Sequence, residues 1–336
     1  MSDFVHLHLH SEFSLLDGAC RIEELLDKCV ELKMPAAAIT EHGNMFSSIV
    51  FHDQARKRGI NPILGCEVYV APGDRRTKSG TPGETANHLV LLAETKEGYH
   101  NLIKLVSSGY TEGFYYKPRI DKELLKELNG GLIALSACLQ GEVSQALNLG
   151  NIERAKAAAE SYLSTFGDRY YIEIQDNKLA EQEKVNRLLV EMAKDLSIPV
   201  VATNDCHYGE REDFHAHDVL LCVQTGKTID EDNRLKLETD ELYLKSAEEM
   251  TQGFDYCPGA VERTLEIAER CNVDLSSTEN HLPNFDVPDG FTLDGYFEHV
   301  VREGYRERLE RLRMLAAAGS LRHSIDEYEQ RLSYEI

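Results

Sequence analysis

Short apolar runs alternate with amphipathic segments through the first two thirds of the chain, and this alternation limits the possible folds more than any other feature. Ala36–Thr40, Pro62–Val70, His88–Ala93, Leu132–Cys138, Tyr170–Gln175 and Pro199–Asp205 read as buried strands. Phe4–His10 adds a strand in which histidine alternates with apolar residues. Ile22–Leu32, Met45–Arg58, Tyr99–Ser107, Glu142–Leu149, Ile152–Phe166, Gln182–Leu196 and Glu212–Val223 have helical periodicity. Glu23 and Glu24 fall in the first turn of their helix, where they suit its dipole. Such an order predicts a mostly parallel sheet with right-handed crossovers. An open doubly wound sheet would carry a Gly-rich phosphate turn after its first strand; here that strand runs into His10-Ser11-Glu12-Phe13. In a barrel, chemistry gathers at the C-terminal strand ends, where this chain repeatedly has polar residues. The expectation is an α/β barrel.

Period two places His6, His8 and His10 on one strand face and Leu7 and Leu9 on the other. Asp17 follows, just before Gly18, where the chain can turn. An expression tag would be contiguous and would not alternate with leucine. Later strand ends offer His42, Glu67, His88 and Cys138, and then Asp205 and His207 at the spacing of His8 and His10. Taken singly, His88 reads as a core or surface histidine, Cys138 as a small core residue, and Glu67 and Asp205 as caps or ion-pair partners. Together, His8, His10, Asp17, His42, Glu67, His88, Cys138, Asp205 and His207 are nine metal-capable side chains at comparable places on successive strands. Buried charges so placed are costly without cations. One ion takes about four to six ligands, so the set predicts two or three ions with a bridging carboxylate. Imidazole and thiolate favour Zn²⁺, Mn²⁺ or Fe²⁺ over Mg²⁺ or Ca²⁺. Clustered ions of this type activate water and clamp phosphoryl oxygens, which suits phosphoester hydrolysis.

Other polar residues have plainer readings. His6 either orients a ligand or is solvated. His215 and His217 do not face each other on a helix, and His52, His100, His281, His299 and His323 are expected to be exposed. No base is tied by spacing to Ser11 or Ser14. Lys117 and Arg119, in Phe114-Tyr115-Tyr116-Lys117-Pro118-Arg119, either touch a substrate phosphate or form a solvated loop.

The 336 residues have a net charge of −22, which argues against non-specific binding of nucleic acid over the whole surface. Bound cations would reverse the sign locally. No apolar run is long enough to span a membrane, and the start lacks a secretory pattern, so the expected compartment is the cytoplasm. The eight cysteines form no CxxC pair and are expected to be reduced. Residues 74–84 read as a polar loop and Leu237–Lys245 as a short extended piece. Ala247–Gly253 and Gly259–Cys271 read as helices, and 280–290 as a connector. Leu293–Leu315 and Ser324–Ile336 read as helices, the last without a stop signal, as in a piece of a longer chain.

The stretches HLHLHSEFSLLDG, ITEHGNM, ILGCEVYV, NHLVLLA, LIALSACLQGE and VVATNDCHY resemble the motifs of the PHP (polymerase and histidinol phosphatase) domain. They look like the versions in bacterial replicative DNA polymerase III α subunits, as do GFYYKPRID, KLETDELYLKS and IAERCNV. The resemblance implies a distorted (β/α)7 TIM-like barrel over residues 1–275. Residues 276–336 would be a mainly helical connector and the leading segment of a polymerase core, without that core's catalytic aspartates. It also implies a trinuclear metal site. His8, His10 and Asp205 would hold one ion, Glu67 would bridge to a second completed by His88 and Cys138, and Asp17, His42 and His207 would hold the third. The implied activity is a metal-dependent phosphoesterase or 3′–5′ exonuclease, with Asp205, Glu67 and His207 as catalytic residues. The implied partners are a single-stranded DNA 3′ end and other replicase subunits. Some α subunits lack several of these ligands; this sequence fills all nine positions. The alternative is a metal-stabilised, non-catalytic module that braces the polymerase or docks a proofreading subunit. A free-standing phosphatase of the histidinol-phosphate type is a weaker fit to the polymerase-like motifs.

Overall fold

The computed structural model describes residues 3–15, 17–81, 86–276 and 282–336. Leu16, His281 and parts of the 74–84 loop and the 280–290 connector lie outside these. The chain forms two compact units, Met1–Leu275 and Ser276–Ile336.

In the first unit, β1 (Ala36–Ile39), β2 (Asn61–Val70), β3 (Asn87–Ala93), β4 (Arg119–Ile120), β5 (Leu132–Leu135), β6 (Tyr170–Gln175) and β7 (Val200–Thr203) form one curled sheet. The strand order is β1-β2-β3-β5-β6-β7, with β4 added beside β2. The helices are α1 (Ile22–Glu31), α2 (Ser48–Lys57), α3 (Lys96–Thr111), α4 (Lys122–Leu128), α5 (Glu142–Asn148), α6 (Ile152–Phe166), α7 (Ala180–Asp195), α8 (Phe214–Thr225), α9 (Ala247–Gly253) and α10 (Arg263–Arg270). Caps fix several starts: Thr95 accepts from the Gly98 N–H at α3, and Asp121 from the Leu124 N–H at α4. Leu25, Leu26, Phe51, Leu102 and Leu189 pack the helices against the outer sheet face. Ile63, Val90, Leu92, Ile133, Leu135 and Val201 fill the interior, and Ile267, Ala268 and Cys271, on and just after α10, join them. α10 thereby closes the end where the parallel strands begin: Asn61, at the start of β2, donates to the Cys271 carbonyl at 2.9 Å.

The sheet departs from the expected parallel order at β3, which runs antiparallel to both β2 and β5. Among the described residues, the β2–β3 connection has no helix to serve as a crossover, so the chain turns back on itself. Tyr69 pairs with His88 and Glu67 with Val90. The reversal therefore brings the beginning of β3 to the rim where β2 ends.

Phe4–His10 is a seam rather than a laddered strand. Ala38 and Thr40 donate backbone N–H groups to His6 and Leu9 on one side. On the other, His10 N–H donates to Cys206 O at 2.8 Å, and Cys206 N–H to His8 O at 3.2 Å. The segment joins the two edges of the sheet. It also bends at His8. Val5 and Leu7 pack in the interior, whereas Phe4 and Leu9 pack in the outer layer. The bend shifts the phase by one residue, so the expected shared face of three histidines becomes His8 and His10 alone. His6 turns outward, with Nε2 2.9 Å from Lys245 O and Nδ1 3.3 Å from Cys206 Sγ.

Two further expectations, for His52 and Arg119, are corrected. His52 is buried on α2, and Leu275 N–H lies 3.5 Å from its Nε2. His217 is buried, with Nε2 2.7 Å from Asp17 O. Arg119 is neither solvated nor free for substrate: it is 2% exposed, and its guanidinium donates to the carbonyls of Gly113, Arg75 and Thr77. Leu237–Lys245 forms no strand, only a Tyr208–Tyr243 bridge. The eight cysteines are free thiols. In the second unit, α11 (Leu293–Ala317) and α12 (Ile325–Glu335) bury no residue, and Phe285, Leu293, Tyr296, Phe297 and Val300 line an apolar groove. Among the described residues, no helix is long and apolar enough to cross a membrane.

Candidate metal centre

All nine candidate ligands gather at one rim of the barrel. The seam supplies His8 and His10, and the turn after it supplies Asp17. His42 follows β1, Glu67 lies near the end of β2, and His88 opens the reversed β3. Cys138 follows β5, and Asp205 and His207 follow β7. Two backbone turns aim these side chains: Ala137 and Asp205 both hold the left-handed region, with φ of 64° and 52°. That conformation is uncommon outside glycine, although Asp tolerates it better than most.

The donor atoms converge in three overlapping groups: His8, His10 and Glu67; Glu67, His88 and Cys138; and His10, His42 and His207. Asp205 Oδ1 lies 3.3 Å from both His8 Nε2 and His10 Nε2, and Glu67 Oε1 lies 3.5 Å from His8 Nε2. His88 Nδ1 is 2.6 Å from Glu67 Oε1, and Cys138 Sγ is 3.6 Å from His88 Nδ1. His42 reaches Glu67 Oε2 at 2.5 Å through Nδ1 and Asp17 Oδ1 at 3.0 Å through Nε2. His207 Nε2 is 3.8 Å from Asp17 Oδ2. The His10 and His42 rings stack at 3.9 Å.

Buried His8 Nε2, His10 Nε2 and Asp205 Oδ1 face one another with no hydrogen bond between them, and Asp17 Oδ1 has only the His42 ion pair. Unpaired buried polar atoms cost roughly 1–3 kcal/mol each. An ion with nitrogen and oxygen ligands at about 2.0–2.2 Å sets neighbouring donors about 3.4 Å apart, close to the spacing of Asp205 with His8 and His10. The residues present therefore fit a divalent cation.

Other side chains set which ring nitrogen is free. His8 Nδ1 donates to Glu173 Oε1 at 2.7 Å. His10 Nδ1 donates to Ser14 Oγ at 3.0 Å, and Ser14 donates in turn to Glu41 Oε2 at 2.5 Å. His207 Nδ1 donates to Asp205 O at 2.8 Å. In all three rings Nε2 keeps its lone pair for the centre of the cluster, the arrangement that orients metal-binding histidines. Glu173, Glu41 and Ser14 did not stand out as participants in the sequence. The one available signal for Glu173 was a carboxylate in the middle of the apolar run Tyr170–Gln175.

The electrostatics follow from burial. Burial, with the imidazoles of His42 and His207, lowers the His10 pKa to about 3, keeping it neutral. Burial would also lower His42, but Asp17 and Glu67 outweigh it and raise that imidazole to about 10. Burial would raise Glu67, yet His88 and His42 hold it well below the usual carboxylate range. Burial, then Glu67 and Asp205, push the Cys138 thiol well above its ordinary value. A thiolate at Cys138 thus needs a cation beside it.

Residues 6–177 match the family described as PHP domain. The chain is 46% identical over 308 residues to the DNA polymerase III subunit alpha of Treponema pallidum, covering 91% of this chain and 26% of that one. It is 41% identical over 314 residues to the subunit of the same name from Borreliella burgdorferi, covering 93% and 27%. It spans about a quarter of the length of these curated relatives. Among solved structures, it is similar to a two-domain protein from Bacteroides vulgatus containing a predicted PHP-like metal-dependent phosphoesterase. The TM-score there is 0.37, with 14% identity, 83% of this chain covered and 72% of that one.

Proposed function

The chain belongs to the PHP domain family, and from that premise we propose that its rim is a multinuclear metal site that hydrolyses phosphoesters. The substrate in this reading is the 3′ end of single-stranded DNA, cleaved by 3′–5′ exonuclease chemistry. The setting is a DNA polymerase III α protein in the cytoplasm, with other replicase subunits as partners. The observation that supports the reading best is the convergence of buried His8 Nε2, His10 Nε2 and Asp205 Oδ1, which lie about one ligand spacing apart with no hydrogen bond between them.

His8, His10 and Asp205 would hold one ion, Glu67, His88 and Cys138 a second with Glu67 shared, and Asp17, His42 and His207 a third. The donor set selects Zn²⁺, Mn²⁺ or Fe²⁺. Bound ions of this class supply an activated water and neutralise the phosphoryl oxygens. Asp205 and Glu67 keep ionised carboxylates against the reacting centre, and His207 presents Nε2 toward it. Glu173 and the Ser14–Glu41 pair keep the inner histidines in the required tautomer.

The test is metal analysis of protein prepared without chelator, paired with hydrolysis of a 3′-labelled single strand by wild type and Asp205→Asn. More than one transition-metal equivalent, and loss of hydrolysis in the variant, are expected. Equal rates in the two proteins, or a folded protein that takes up no metal, would overturn the proposal. Metal that raises Tm without any hydrolysis would instead favour the bracing module.

A further inference from the structure

Tyr115, Tyr116 and Lys117 form a tight turn: Tyr115 N–H donates to Lys117 O at 3.1 Å, and the two residues pair as an isolated bridge. Tyr116 sits at the apex with φ 60°, 54% exposed. A bulky residue held in the left-handed region is unusual and tends to mark a functional position. The turn is braced from below. The Arg119 guanidinium lies 5.2 Å from the Tyr115 ring, and the Tyr115 hydroxyl donates to Gly80 O at 3.3 Å. Pro118 packs with Tyr69 against Gly43, where a Cβ would meet Pro118 Cγ at 2.8 Å and Tyr69 Cε2 at 2.9 Å. The turn is thus tied directly beside His42.

Lys117 is the one residue of this turn that looks toward the metal ligands. Its Nζ lies 5.2 Å from the Tyr69 ring, which also meets the His88 ring at 5.1 Å. The charges that face it are Asp17 and Glu67. Among the described residues its Nζ forms no hydrogen bond or ion pair. A half-buried ammonium without a hydrogen-bonded partner is a standing site for an anion, and the anion a phosphoesterase brings to this rim is the phosphate it cleaves.

We propose that this turn is the substrate grip of the rim: Lys117 binds a phosphate of the incoming strand, and the exposed Tyr116 ring stacks an unpaired base next to it. The inference rests on the phosphoesterase reading and deepens it by naming the residues that would hold the single strand beside the rim. Lysine contributes charge to the backbone and aromatic rings contribute sequence-tolerant stacking, the pairing used to hold single strands.

The test is fluorescence anisotropy with a (dT)12 protected by 3′ phosphorothioates, on the full metal-loaded chain. Lys117→Ala is expected to weaken binding about tenfold and to lower the slope of log affinity against log salt by about 0.7. Lys117→Arg should restore both. Tyr116→Ala is expected to weaken (dT)12 binding about fivefold or more, but not binding of an abasic 12-mer, and Tyr116→Phe should behave as wild type. Melting curves confirm that each variant folds. An unchanged salt slope for folded Lys117→Ala, or equal loss on the abasic strand for Tyr116→Ala, overturns the proposal. If the variants shift binding as expected while wild type cleaves nothing, the grip stands and the phosphoesterase reading fails. If wild type cleaves DNA and the variants bind normally, the reading stands and the grip fails.

Discussion

Glu173 Oε1 lies 2.7 Å from His8 Nδ1, with both side chains fully enclosed. Gln175 Nε2 donates to the same carboxylate at 3.0 Å, and Thr203 Oγ1 donates to it as well. The carboxylate keeps the imidazole proton on Nδ1 and the lone pair on Nε2. Glu173→Gln retains the shape and removes the charge. It should weaken metal binding about 10- to 100-fold, measured by competition with a chromophoric chelator, with the Mn²⁺ or Zn²⁺ stoichiometry unchanged at saturation.

Removing metal should soften the first unit as a whole. The candidate ligands come from the seam, from the turn after it and from five strands, so cation binding would favour only the folded state. At about 100-fold excess over Kd, ligation stabilises by about 2.7 kcal/mol. In a unit of this size that corresponds to a Tm fall of roughly 5–10 °C on chelation. Calorimetry before and after dialysis against chelator, with metal added back, checks it.

Asp121 links three elements away from the rim. It caps α4, accepts Arg75 N–H at 3.0 Å, and pairs with the Arg75 guanidinium at 2.9 Å. Burial alone would raise its pKa, but the hydrogen bonds from Arg75 and Leu124 and the Arg75 charge outweigh it and lower it. A depressed carboxylate stabilises the fold above its unfolded pKa, about 3.9, and that stabilisation is lost as pH falls through the folded value. Asp121→Asn should cost roughly 1–3 kcal/mol at pH 7. It should also flatten the decline in stability below about pH 4, seen in urea titrations from pH 7 to 3.

Gly98, in the first turn of α3, lies against the strand-entry loop so closely that an added Cβ would sit 1.7 Å from Gly131 O. Gly131 O also accepts Glu94 N–H at 2.9 Å, so it cannot shift without breaking that bond. Gly98→Ala should destabilise by roughly 1–3 kcal/mol despite alanine's better helix propensity. Thermal unfolding measures the cost.

Much of this was legible in the sequence. Tyr170–Gln175, Ile152–Phe166 and Ala247–Gly253 have the bounds their periodicity predicts, because their apolar patterns are clean. His42, Glu67, Cys138, Asp205 and His207 meet at one rim because strand ends on one side of a barrel have nowhere else to point. The phase slip at His8 left no mark: a bend that moves one residue preserves the His–Leu alternation while reversing its meaning for His6. The reversal of β3 depends on a connection that forms no helix among its described residues, and run composition does not record direction. His88 reached the rim from the start of a strand rather than its end. Glu173 is not legible as a partner of His8, because a carboxylate inside an apolar strand carries no label for what it touches. Lys117 and Arg119, two residues apart, took opposite fates that only the turn at Tyr116 decides.

The Phe4–His10 segment is the keystone of the hoop. Two of the innermost donors ride on the piece of chain that, among the described residues, spans the gap between first and last staves, so bound cations would tie the cylinder shut across that joint. An amide-exchange experiment would see this as protection spreading from Cys206 through His10 to Thr40 in step with occupancy. No variant can empty the rim of His8 and His10 and leave that joint as tight as before.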